Sequence, residues 1–228
     1  MLSLAVTSST SVVGVAVGEP GAVVEAFNQV TTDRRHAEEL TPLIAATLAE
    51  AGAKMADVEQ LVVDVGPGRF TGLRVGLATV RALALAIDRP VVGLTSLEIL
   101  AAGASESGQP VLAVIDARRA EVFQQQFEPG PQGALAHAGP AIVGRPEDLA
   151  ASIDSGIDIN IGIEIVGDGA DRYQELYGAG VRLGRVPSAA VMLGLARGRQ
   201  GVEGRAITPL YLRDPDVNVN VKTRNSPR

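Results

Sequence analysis

The chain has 228 residues, 46% of them hydrophobic, which is enough for a packed core of one large or two small domains and too apolar for a disordered chain. It contains no cysteine, which excludes disulfide scaffolding, thiolate catalysis and cysteine-ligated metal. The formal charge of −6, from 26 acidic against 20 basic residues, argues against whole-molecule attraction to nucleic acid or anionic lipid. A local basic groove stays open, because Lys54 and Lys222 are the only lysines and the other basic residues are all arginine.

In chain order, Leu2–Thr7, Val12–Val17 and Val23–Val30 read as short strands, joined by Ser8-Ser9-Thr10-Ser11 and by Glu19-Pro20-Gly21, in an antiparallel meander. From His36 to Ala51 the period changes. Leu40, Leu43, Ile44 and Leu48 fall at helical spacing, with Glu38 and Glu39 near the positive end of the helix dipole. Leu61–Val65 is a nearly continuous apolar strand, broken only by Asp64, of the kind covered on both faces. A helix over Thr71–Ile87 and a strand over Val91–Leu94 follow, and Thr95 with Glu98 three residues on forms a capping box for a short helix. Three strands followed by helix–strand alternation require an α/β layer architecture, closing near Gly103–Pro110.

The second half opens the same way. Strands are expected at Pro110–Asp116, Ala120–Phe127 and, past the Gly130–Gly133 turn, Leu135–Ala138. A short helix at Pro146–Ala151, a strand at Ile161–Val166 and helices at Ala170–Tyr177 and Ser188–Arg199 come next, with Ser188 as N-cap. The repeated order reads as a faint internal duplication. It divides the chain into a first unit at 1–105, a more degenerate second at 106–213 and a disordered tail at 214–228. The alternation Ile157-Asp158-Ile159-Asn160-Ile161, within Gly139–Ile165, has no readable register. No basic n-region opens the chain, and Leu83–Ile87 is far short of the roughly 20 residues a membrane span needs. The expectation is a cytoplasmic protein without a membrane partner.

The sharpest local feature is Gly66-Pro67-Gly68-Arg69-Phe70-Thr71-Gly72-Leu73-Arg74-Val75-Gly76, between a buried-type strand and a helix. Backbone N–H groups converging at such a turn suit anions. It is not a P-loop, since G-x-x-x-x-G-K-[ST] has no match, nor a dinucleotide fingerprint, since Thr71 stands where the third glycine belongs. A tight structural turn explains it equally well. Gly72, Gly76 and Val80 recur at four-residue spacing, with Leu73 and Leu77 beside them. Glycine inside a helix costs about 1 kcal/mol relative to alanine, so a close neighbour is expected there, from this chain's own sheet, another of its helices or a second subunit.

Side chains for chemistry are few. His36 and His137 are the only histidines, and His36, beside Arg34 and Arg35 at a helix start, reads as a surface residue. Asp64, Asp116 and Asp168 sit at strand ends, where three carboxylates could hold magnesium in a ribonuclease H-like site. Such sites take an acid from the first strand, however, and Leu4-Ala5-Val6-Thr7 offers only Thr7. There is no G-x-S-x-G elbow. With no Trp, three Tyr and four Phe, base-stacking platforms are scarce. No catalytic residue, metal ligand or cofactor is assigned.

Gly66–Gly76 resembles the G-P-G-S-F-T-G-[LV]-R-[IV]-G signature of the TsaB (YeaZ) family, with Arg69 in place of Ser. Weaker matches keep the family's order. Leu4–Thr10 is similar to L-A-I-D-T-[AS]-T, with Thr7 in place of Asp, and His36, Leu40 and Pro42 to H-x-x-x-L-x-P. Ile115-Asp116-Ala117-Arg118 matches I-D-A-R, and Pro209–Arg213 matches P-x-Y-L-R through Tyr211 and Arg213. The likeness spans roughly residues 2–213. It implies an α/β fold of two ribonuclease H-like lobes of the actin/Hsp70/sugar-kinase (ASKHA) superfamily. The implied role is a non-catalytic subunit for threonylcarbamoyl modification (t6A) of adenosine 37 in tRNAs reading ANN codons. Such a subunit binds a TsaD-like catalytic subunit and a TsaE-like ATPase, or a second copy of itself, and meets tRNA only indirectly through the complex. The resemblance makes Gly72, Leu73, Gly76, Leu77 and Val80 the expected partner seam. The alternative is a stand-alone ATP- and magnesium-dependent phosphotransferase or hydrolase of the same superfold.

Overall fold

In the computed structural model, which describes residues 1–21, 24–32, 35–104, 108–130, 135–153, 162–178 and 181–213, the meander expected at the start is formed by β1 (Ser3–Thr7), β2 (Val12–Gly18) and β3 (Val24–Thr31). Helix α1 (His36–Glu50) leads to β4 (Gln60–Asp64), α2 (Phe70–Ile87), β5 (Val91–Leu94) and α3 (Ser96–Ala102). The strands lie in the order β3-β2-β1-β4-β5. Antiparallel pairing holds the first three, and β1–β4 and β4–β5 are parallel. The capping box at α3 forms as read: Thr95 Oγ1 accepts from the Glu98 N–H at 3.1 Å, and Glu98 Oε1 accepts from the Thr95 N–H at 2.7 Å.

The second half repeats this topology. Strands β6 (Val111–Arg118), β7 (Glu121–Pro129) and β8 (Leu135–His137) form the meander, and β10 (Glu164–Val166) and β11 (Val181–Arg182) add parallel neighbours on the far side of β6. Their order β8-β7-β6-β10-β11 is the first sheet's order over again, so the faint duplication in the sequence is a real repeat of fold. The remaining elements are β9 (Ile142–Gly144), which pairs with β7, and helices α4 (Pro146–Ile153), α5 (Asp168–Arg172), α6 (Gln174–Tyr177) and α7 (Ala189–Leu195).

Several expectations change in detail. The helix expected over Ala170–Tyr177 is two short pieces, α5 and α6. Strands β9 and β11 are too short to carry a period-2 signal. Ser188 stands at the N-cap of α7, but its side chain accepts no capping bond. The alternation at 157–161 and the tail at 214–228 lie outside the described residues.

The largest change concerns the expected second unit, whose end returns to the first sheet. On one face of that sheet Leu4, Val6, Val13, Val15 and Val17 pack under α1 and α2, against Leu40, Ile44, Leu73, Leu77 and Val80. On the other face Ala5, Ala16 and Val62 meet Ala189, Met192 and Leu193 of α7. The pleat alternates large and small side chains, and the small ones leave room for a helix from residues 189–195. Beyond α7, Val202 bridges Val91, Arg81 Nε donates to Ile207 O at 3.0 Å, and the Leu210 N–H donates to Val65 O at 2.7 Å. Residues 189–210 therefore belong to the packing of the first sheet, and a cut at 105 does not separate two independent cores.

Candidate functional site

Sheet register sets the first feature. β1 and β4 pair with Ser3 opposite Gln60 and Val6 opposite Val63, which carries Thr7 up to Asp64. The Asp64 carboxylate is buried at the strand end and accepts four hydrogen bonds. Thr7 Oγ1 (2.7 Å) and Ser9 Oγ (2.5 Å) donate to Oδ2, and Ser96 Oγ (2.5 Å) and the Gly66 N–H (2.9 Å) donate to Oδ1. Burial pushes this carboxyl above the usual range, and the donors from Ser9, Ser96, Thr7 and Gly66 pull it partly back. Asp64 thus ties the β1–β2 turn, the glycine loop and the start of α3 into one knot. It is committed to these donors, and Asp116 and Asp168 make a separate cluster. There Asp168 Oδ1 accepts from the Asp116 N–H at 2.9 Å, and Asp116 Oδ2 pairs with Arg172 at 2.9 Å and Arg118 at 3.4 Å. Burial raises the Asp168 carboxyl, while the charges of Arg69 and Arg118 draw it down. No group of three or more metal-capable side chains occurs among the described residues.

The second feature is a cleft of about 640 Å³ where the glycine loop, the β6–β7 turn and the last described segment meet. The structure brings most of the resemblance residues together here: Pro67, Gly68, Arg69, Phe70, Thr71 and Gly72 from the loop, with His36, Asp116, Arg118, Tyr211 and Arg213. Arg119, which sequence reasoning did not single out, lines it too. Arg74 lies at its mouth, with Cζ 3.7 Å from the centre of the Phe70 ring and Nε donating to Tyr211 Oη at 3.2 Å. Phe70 and Tyr211 are tilted neighbours with ring centres 5.7 Å apart. Arg213 reaches the far wall, where it pairs with Glu121 and meets Ala117 O.

The β6–β7 turn carries an unusual backbone. Arg118, Arg119 and Ala120 all have positive φ, at 64°, 56° and 58°. Arg119 and Ala120 are the central residues, between the paired Arg118 and Glu121, and positive φ at both is the geometry of a type I′ hairpin turn, which favours Asn-Gly. A side chain there costs about 1–2 kcal/mol per residue, so a run of Arg118, Arg119 and Ala120 without glycine or asparagine is an expensive choice.

Two expected placements are corrected. His36 is not a surface residue: it is 4% exposed, with Nε2 2.9 Å from Thr10 O, so it fastens the start of α1 to the β1–β2 turn. The seam residues are turned inward. Leu73, Leu77 and Val80 are at most 3% exposed and belong to the first-sheet core. At Gly72 an added Cβ would collide with the Ser8 backbone oxygen and lie 2.9 Å from His36 Cδ2, and at Gly76 it would strike Ser8 Oγ. The close neighbour required by these glycines is the chain's own β1–β2 turn. Gly72→Ala is expected to lower stability by about 1–3 kcal/mol. Gly76→Ala should cost less, because the Ser8 hydroxyl can turn aside at the loss of its single bond to Gly72 O, whereas the backbone oxygen at Gly72 cannot. Urea midpoints of the two variants measure the difference, and equal midpoints would refute the assignment.

The outward face of α2 is the one left open. Thr71, Arg74, Ala78, Ala82 and Leu85 are exposed along it, and Leu85 is 87% exposed. Neighbouring α1 turns out Thr41, Ala45 and Ala49. By length and composition α2 is apolar enough to cross a membrane, with a mean hydropathy of 1.5 over its 18 residues. One side of it is nevertheless core to the first sheet, which identifies it as a packed helix with a second apolar side.

A family model described as TsaD, tRNA N6-adenosine threonylcarbamoyltransferase, matches residues 28–161. An uncharacterised protein of Mycobacterium tuberculosis is 35% identical over 216 residues, covering 94% of this chain and 92% of its own. The Escherichia coli tRNA threonylcarbamoyladenosine biosynthesis protein TsaB is 32% identical over 130 residues, 56% of this chain and 55% of that protein. The crystal structure of YeaZ from Pseudomonas aeruginosa superimposes with a TM-score of 0.79 at 30% identity, covering 92% of this chain and 99% of that one.

Proposed function

Because the chain belongs to the TsaB/YeaZ family and has a two-lobed α/β fold of the ASKHA superfamily, we propose that it is the non-catalytic subunit of a tRNA-modifying assembly. In this reading it binds a TsaD-like catalytic subunit, with a TsaE-like ATPase joining the complex, for threonylcarbamoyl transfer to adenosine 37 in tRNAs that read ANN codons. The place of action is the cytoplasm.

The observation that carries the proposal is the outward face of α2 with α1. An 18-residue helix that buries Leu73, Leu77 and Val80 inward and still presents Ala78, Ala82 and Leu85 outward has apolar surface left for a second helix layer. Small residues at helical spacing on both α1 and α2 let a partner's helices approach closely. A partner of similar fold is suited to the position, since equivalent helices of two like chains can pack about a pseudo-two-fold axis. The match of this chain to a TsaD family model supports such a pairing. A second copy of the chain would use the same face, and the two would compete for it. The accessory reading also draws support from Asp64, whose oxygens are taken up by three hydroxyls and an N–H within the fold.

The direct test is a pull-down of the tagged chain from its native cytoplasm, scored for a TsaD-like subunit by mass spectrometry. Recovery of that subunit at near-equal amounts is expected. Its absence, together with magnesium-ATP turnover by the purified chain alone, would reject the accessory role.

A further inference from the structure

The cleft at the β6–β7 turn has no part in the pairing just described, and its chemistry is distinctive. Four arginines, Arg69, Arg118, Arg119 and Arg213, line it with one carboxylate, Asp116; Arg118 pairs with Asp116 and Arg213 with Glu121, in a chain whose net charge is −6. The aromatic residues are concentrated there as well. Of seven in the whole chain, Phe70, Phe123 and Tyr211 line this cleft, and Phe70 and Tyr211 remain 45% and 41% exposed. The β6–β7 turn holds three successive non-glycine residues at positive φ, Arg118, Arg119 and Ala120, and two of them are arginines aimed at the cleft. Strain held at a surface turn points to use of the side chains that impose it.

Guanidinium groups facing exposed rings suit a ligand made of phosphates and flat bases. The arginines enter from both sides, Arg69 from the glycine loop and Arg118 with Arg119 from the β6–β7 turn, which suits a strand crossing the cleft better than a point anion. Magnesium-bound triphosphate is disfavoured, because Asp64 is enclosed by its own donors and Asp116 is paired with Arg172. We infer that this cleft binds a single-stranded RNA segment directly, phosphates on Arg118 and Arg119 and a base against Tyr211. The inference rests on the tRNA reading above and gives this subunit its own contact with the substrate RNA.

Fluorescence anisotropy of a labelled anticodon stem-loop RNA, titrated with the full chain, tests it. Glycine suits φ values of 64° and 56°, so the Arg118→Gly/Arg119→Gly double variant should keep or raise the thermal midpoint. Its affinity for the stem-loop is expected to fall about tenfold or more, and its log–log salt slope should be shallower by about 1.4, at roughly 0.7 per phosphate contact. Tyr211→Ala should lose about fivefold or more through stacking. A folded double variant that co-purifies with the TsaD-like subunit but releases the RNA supports the inference. Equal RNA affinity of double variant and wild type overturns it, as does displacement of the RNA by ATP at concentrations where the same added charge of inorganic phosphate has no effect. Failure of the wild-type chain to recover a TsaD-like subunit would bear on the preceding reading and leave the RNA result standing.

Discussion

Leu85→Asp is expected to abolish recovery of the TsaD-like subunit while the isolated chain folds as before. Leu85 is 87% exposed, so the free protein loses little apolar burial, and a surface change of this kind stays within about 0.5 kcal/mol of wild-type stability. In a complex closed over α2 the same position would be desolvated among Ala78, Ala82 and Ala86, and Arg81, one turn back on the helix, is already committed to the Ile207 carbonyl. An unpaired charge in an apolar seam costs several kcal/mol, so affinity should fall by about 100-fold or more, which corresponds to about 2.7 kcal/mol. Ala78→Trp should act on the same face by bulk. Native mass spectrometry of co-expressed subunits gives the readout. An intact complex in both variants would move the interface off this helix.

Asp64→Val is the substitution expected to damage the fold most. It leaves the hydroxyls of Thr7, Ser9 and Ser96 and the N–H of Gly66 without their shared acceptor, all in buried surroundings. Each orphaned donor costs about 1–3 kcal/mol, reduced where a hydroxyl can turn elsewhere, so a total of about 3 kcal/mol or more is expected. Asp64→Asn keeps one oxygen and should cost about 1 kcal/mol. The acid dependence follows from the direction of the shift. Burial holds the native carboxyl above its unfolded value, so the folded chain keeps that proton more tightly. The stability linked to it is fully present below the unfolded value of about 3.9 and is lost as pH rises through the higher native value. Relative to Asp64→Asn, the wild type should therefore be most favoured in acid, with the difference in urea midpoint shrinking toward neutrality. A difference that grows toward neutrality would mean that the four donors outweigh burial.

The first sheet and its helices were legible because their signals are long and agree with one another. β4 centres on the apolar run Leu61-Val62-Val63, α1 keeps its helical spacing, and Thr95 with Glu98 announces α3. The residues of the cleft were legible as separate motifs, yet nothing local shows that positions 36, 69, 118 and 213 converge. That follows from the β6–β7 turn facing the start of α2, a tertiary fact. Which side of α2 lies inward was also hidden, since Leu73, Leu77 and Leu85 are equally apolar and only packing separates the first two from the third. The knot at Asp64 did leave a trace in the sequence. Thr7 reads as the end of a strand and Ser8–Ser11 as a turn, although hydroxyls at and directly after a core strand, beside a carboxylate on the neighbouring strand, form a ready donor set.

Helix α7 reaches the first sheet from the far end of the chain, and this has a consequence for synthesis. As the polypeptide leaves the ribosome, β1, β2 and β4 emerge more than a hundred residues before Ala189, Met192 and Leu193 can cover their small-residue face. At roughly 5–20 residues per second that face waits several seconds without its lid. The first sheet therefore gains its second cover only once residues 189–195 have left the ribosome, and until then its small-residue face is the exposed apolar surface of the nascent chain.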